Sequence, residues 1–204
     1  MQIQFSSPPP SMSHSDNRDT HFPETLQQQL SVARTLLFQA VDILDNHLTS
    51  DEQLTVSSKY LPGSTIGKHL RHARDHFVLL TACMQQPSPR TLSYDTRLRN
   101  TPMECSRAHA KEALIEAIAE LEAVVPKSDI NASITLHAVT PYIHEFQTTF
   151  GRELWFASLH CVHHWSMVRV IAGEMDIKLS DDFGFAPSTL VFQDREAPLG
   201  KAKI

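Results

Sequence analysis

From residue 23 the apolar positions fall into a helical rhythm. Leu26, Leu30, Ala33, Leu37, Val41, Leu44 and Leu48 recur at steps of three or four, which predicts one long amphipathic helix over about 23–49. Pro23 suits its first turn. After Pro62-Gly63, Ser64 or Thr65 can cap a second helix over about 65–85, and Pro87 and Pro89 end it. A third, about 105–125, carries Ala110, Leu114, Ala117, Leu121 and Val124 on one side and closes at Pro126. The fourth, about 150–174, is apolar over most of its circumference, as expected of the most buried helix.

Between these helices the pattern changes. Residues 90–105 read as a connection. Residues 131–138 and 142–149 alternate weakly around Pro141, which predicts a short β-hairpin before the last helix. Residues 1–21 are rich in Ser, Pro and Asp with no apolar period and read as a disordered leader. The tail from 176 onward reads as irregular, packed down by Phe183, Phe185 and Leu190. The expectation is a mainly α protein: a four-helix bundle over 22–195, with a leader at 1–21 and a C-terminal tail at 196–204.

Composition narrows the function. The chain has 204 residues, 41% of them hydrophobic, enough for one core. Its net charge is −5 and no segment gathers basic residues, so no nucleic-acid partner is expected. No run of about 18 apolar residues exists to span a membrane. Cys83, Cys105 and Cys161 are odd in number and sit inside helical patterns, which fits a reducing, cytoplasmic protein.

Histidine stands out, with twelve in the chain and six of them in two short windows. On the fourth helix His160 and His164 lie one turn apart, about 40° from each other, on a face shared with Ala157, Met167, Val168 and Ile171. His163 points to the edge of that face, so His164 is the better partner of His160 for one ion. On the second helix His69, His72 and His76 share a face with Leu79, Leu80 and Cys83, and periodicity does not choose among them. A buried histidine by itself usually satisfies a carbonyl, and an isolated HxxxH is a weak signal. Two inward-facing clusters in one small bundle point to a metal.

Several motifs together resemble the DinB-like proteins, a family of metal-binding four-helix bundles. They are Thr65-Ile66-Gly67-Lys68-His69-Leu70-Arg71-His72 and His160-Cys161-Val162-His163-His164-Trp165. One branch of the family also shows segments like Arg71–Phe77, Tyr94-Asp95-Thr96-Arg97-Leu98-Arg99, Gly151-Arg152-Glu153-Leu154 and Asp182–Leu190. The resemblance covers about 60–195. It implies His72, His160 and His164 as the metal ligands, thiol-dependent transfer or isomerisation among the family's activities, and homodimers among its members. Where relatives follow the last ligand with Arg-Gly-Gln, this chain has Trp165-Ser166-Met167, so small-thiol contacts of that region do not carry over.

Three neutral imidazoles leave a coordination position open, the pattern of catalytic zinc; zinc or nickel suits such donors. The expected function is metal-dependent chemistry on a small molecule, by thiol transfer or hydrolysis, with a non-catalytic metal-binding or stress-response protein, its bundle stapled by the metal, as the alternative. Glu153 and His76 are the candidates for general base, although Glu153 also suits the negative charge favoured in a first helical turn. Tyr94, Arg97 and Arg99 are the candidates for holding substrate, and the two arginines also suit pairing with Asp95 or Glu104. Asp75 suits either a ligand histidine or a surface cation.

Overall fold

The computed structural model describes residues 23–96, 98–195 and 199–200. The expected leader over 1–21, Arg97, and most of the expected tail, residues 196–198 and 201–204, lie outside the described residues.

The protein is mainly helical with one small sheet. Four long helices, α1 (Glu24–Asp42), α2 (Ile66–Gln85), α3 (Arg107–Val124) and α4 (Phe150–Glu174), are joined by a short fifth, α5 (Pro187–Phe192). The three strands are β1 (Arg90–Leu92), β2 (Ser133–Val139) and β3 (Ile143–Thr149). Every residue of the stripe from Leu26 to Leu48 is buried. α1 passes at its end into a π-helical turn, Ile43–His47, before the chain breaks at Leu48.

Local chemistry sets the helix starts. The hydroxyl of Thr65 accepts from Lys68 N, that of Ser106 from His109 N, and that of Thr149 from Arg152 N. Gly67 allows α2 to begin hard against the Pro102–Glu104 turn, because a Cβ there would lie 2.1 Å from the Glu104 carbonyl oxygen. α2 packs on α4 and α3, while α1 packs on α3 and α4.

β2 and β3 form the expected antiparallel hairpin, with Val139 opposite Ile143 and Ser133 opposite Thr149. Residues 90–92, expected as plain connection, instead add β1 in parallel to β2, Arg90 opposite Ile134. A three-residue strand is too short to show a period, and only the long-range partner makes it one. The tail is more ordered than expected, since Pro187 starts α5. Phe183 and Leu190 are buried and Phe185 is partly so. Arg169 of α4 donates to the carbonyls of Phe183 and Ser180 and lies over the Phe185 ring. Trp165 donates to the Leu36 carbonyl and stacks on Phe183. It is a core residue joining α4 to α1 and the tail.

Candidate metal centre

The densest α2–α4 packing carries five histidines. His72 and His160 meet with their Nε2 atoms 3.3 Å apart. His164 Nε2 is 3.0 Å from His160 Nε2. Nitrogens bound at about 2.0–2.1 Å to one tetrahedral ion lie ~3.3 Å from each other, so these separations suit a shared cation. The ligating nitrogens of His72, His76 and His160 all lie within 4.8 Å of one another, and this group could hold a metal ion.

Two overlapping groups of three therefore share His72 and His160, one completed by His76 and the other by His164 through its contact with His160. The one completed by His164 runs inward: His164 is buried, and its Nδ1 faces His69 Nδ1 at 2.7 Å. The one completed by His76 faces a cavity of about 590 Å³ lined by His72, His76 and His160 but not by His164. His76, expected as a general base beyond the ligands, sits within the ligand group itself. One helical turn beyond His72 is too short a step to separate the two rings, whose centroids are 4.9 Å apart. His163 is exposed at the edge of α4, as its position on the helix predicts.

Burial controls the protonation of the inner pair. Loss of water is the main reason that His164 is pushed down to about 2, with His160, His72, His69 and His163 adding repulsion. His69 is pushed down to about 4 by burial first and by His163 second. Both rings are neutral at pH 7, the form that ligates.

Glu153 is fully buried beside the cavity. Its carboxylate accepts from Tyr94 Oη at 3.0 Å, Thr148 Oγ1 at 2.7 Å and Arg152 Nη1 at 2.8 Å. With three donors on two oxygens it is an anchor for α4, β3 and the loop after β1, and the free lone pair expected of a general base is largely used. Tyr94 lines the cavity as well, stacked on His76 with centroids 4.5 Å apart and planes 13° apart. Burial, then the charge of Glu153, raise its phenol far above the ordinary value, so it acts as a donor and not as a phenolate.

Of the two arginines expected to hold substrate, Arg97 lies outside the described residues. Arg99 is exposed and is not among the cavity-lining residues, and the partners suggested for it are engaged elsewhere. Asp95 accepts from Val139 N, and Glu104 from Arg71 and Asn100 N. Among the described residues, Arg152 lines the cavity, its guanidinium over the Phe156 ring at 5.0 Å. The sequence offers Arg152 only within a motif and Phe156 not at all as site residues, although Arg152 precedes Glu153 directly and Phe156 lies one turn before His160. Asp75 turns away from the histidines to Arg71 and Arg74, and burial outweighs those cations and raises its pKa. Cys161 is fully buried, which pushes its thiol well above the ordinary value.

The opposite wall of the cavity is the hairpin, through Leu136–Thr140 and Phe146–Thr148. Leu136 and Phe146 lie there beside His137 and Gln147, and Phe156 and Arg152 of α4 add a further apolar and a charged group to the lining. The space thus suits a small molecule with apolar and polar parts. No helix among the described residues is long and apolar enough to cross a membrane.

A stretch of 164 residues, 79% of this chain, is 34% identical to FK506-binding protein 5 of Rhizopus delemar (strain RA 99-880 / ATCC MYA-4621 / FGSC 9543 / NRRL 43880). The chain spans 37% of the length of that protein. No protein-family model matches the chain, and no solved structure matches it.

Proposed function

We propose that this chain is a DinB-like four-helix-bundle protein that binds one divalent metal ion and uses it for chemistry on a small molecule, by thiol transfer or hydrolysis. The observation that carries this reading is the approach of His160 Nε2 to the Nε2 atoms of both His72 and His164, with His76 grouped beside His72 and His160 at the wall of a cavity. The packing of α1 and α2 each against α3 and α4 supports the four-helix architecture. The relative's name belongs to a protein of which this chain spans 37%; the histidine site carries the proposal instead.

The donor set is all imidazole, which suits zinc or nickel. Such an ion, when bound, lowers the pKa of a coordinated water or thiol and so supplies a nucleophile at neutral pH. The protein's own part is more specific. His164 is kept neutral by burial. Arg152 and Tyr94 set polar groups along the cavity, while Leu136, Phe146 and Phe156 give it apolar surface. A cytoplasmic location belongs to the same reading, supported by three free thiols.

A second reading, in which the metal only staples the fold, is favoured by one feature: the histidines come from α2 and α4 alone, two helices already in intimate contact. Elemental analysis of the purified protein, followed by metal removal and thermal melting, separates the two. A small loss in melting temperature, with turnover of electrophilic or ester substrates in a thiol-supplemented screen, supports the enzyme. A large loss without turnover supports the staple, and absence of bound metal removes both.

A further inference from the structure

We infer that His76 is a fourth protein ligand, holding in the resting protein the coordination position that faces the cavity. The inference rests on the proposed metal site and goes beyond it by naming what guards its open side.

Four observations converge. His76 shares with His72 and His160 a set of ligating nitrogens within 4.8 Å of one another. Its ring packs on that of His160, with centroids 3.9 Å and planes 30° apart, which holds the two imidazoles side by side at the cavity. Its Nδ1 is 3.1 Å from the His72 carbonyl oxygen; an N–H donating there makes Nε2 the acceptor nitrogen of the ring, the form a ligand takes. Finally, the ring is held in place by Tyr94, stacked on it at 4.5 Å and anchored in turn through its hydroxyl to the buried Glu153.

Position gives this ligand a consequence that His164 lacks. His164 does not line the cavity, whereas His76, though itself buried, lines it together with His72 and His160. A donor atom entering from the cavity meets the ion on the side His76 occupies, and so competes with it. The stacked Tyr94 favours the ligated pose, and Glu153 acts through Tyr94 as a positioning residue.

The test uses the whole chain, stripped of metal and reloaded with cobalt(II). X-ray absorption should count four imidazoles in the wild type and three in His76→Phe, a variant that keeps an aromatic ring for Tyr94 to stack on. Titration with 2-mercaptoethanol should develop the thiolate-to-cobalt charge-transfer band at about tenfold lower concentration in His76→Phe, if His76 holds its position about nine-tenths of the time. Three imidazoles in the wild type, or the same thiol concentration for both proteins, would overturn the inference and leave the metal site standing. A wild type that takes up no cobalt would instead remove the metal reading itself. If His76→Phe does not fold, the imidazole count of the wild type decides alone.

Discussion

His69 and His164 face each other through their Nδ1 atoms at 2.7 Å across the α2–α4 contact. Two ring nitrogens that close share one proton. When His164 donates it, the lone pair of His164 Nε2 is left toward His160, as a ligand requires. When His69 donates it, a neutral His164 carries its proton on Nε2 and cannot ligate there. His69 thereby becomes a tautomer-setting partner, a role not expected of it from the sequence. His69→Phe should accordingly weaken metal affinity by about 10–100-fold without abolishing binding, as measured by competition with a chromophoric chelator. Unchanged affinity would show that the pair does not set the tautomer.

The ligands themselves should respond more sharply. His72→Ala, His160→Ala and His164→Ala are each expected to lose most of the bound metal, read by elemental analysis after gel filtration. His163→Ala, altering an exposed side chain at the helix edge, should keep it. Equal occupancy in all four would contradict the ligand choice.

Acid should destabilise the metal-stripped protein through the inner histidines. His164 and His69 are pushed down to about 2 and about 4 in the folded state, against about 6.5 when unfolded. Between those values the unfolded chain binds more protons than the folded one, so stability is fully present above about pH 6.5 and declines as the pH falls below it. Thermal melts at pH 7.5, 6 and 5 should show a falling midpoint, and the double variant His69→Phe, His164→Phe a flatter profile. An identical slope in both would assign the acid sensitivity to other groups.

Glu153 offers a separation of anchoring from chemistry. Glu153→Ala leaves the hydroxyls of Tyr94 and Thr148 without their acceptor in a buried place, at a cost of about 2 kcal/mol or more in urea unfolding. Tyr94→Phe removes one of those hydrogen bonds but keeps the stack on His76, and should cost about 1 kcal/mol. If Glu153 is an anchor, both variants retain bound metal. Metal loss at full stability in Glu153→Ala would place the carboxylate on the ion.

Gly67→Ala tests the seat of α2. Its Cβ would meet the Glu104 backbone, which cannot yield as a flexible side chain would. A loss of about 1–3 kcal/mol is expected, and a neutral substitution would mean that the helix and the turn at 102–104 separate easily.

The sequence by itself determined the four long helices, because α1 and α3 carry an apolar period over several turns, α4 is a long stretch apolar nearly all round, and a capping hydroxyl or a proline stands at each start, with a proline beyond the ends of α2 and α3. It also determined that histidines from α2 and α4 face inward and that His163 does not, since direction around a helix follows from residue spacing alone. Only the tertiary structure decided what depends on neighbours distant in the chain. β1 exists through its pairing with β2, and His69 owes its place to His164. Glu153 is drawn into hydrogen bonds by Tyr94 and Thr148, and Arg152 is brought to the cavity wall opposite the hairpin. Periodicity fixes an angle about one helical axis; which atoms meet is fixed by the offset and rotation between two axes, and those are set by packing across the whole core.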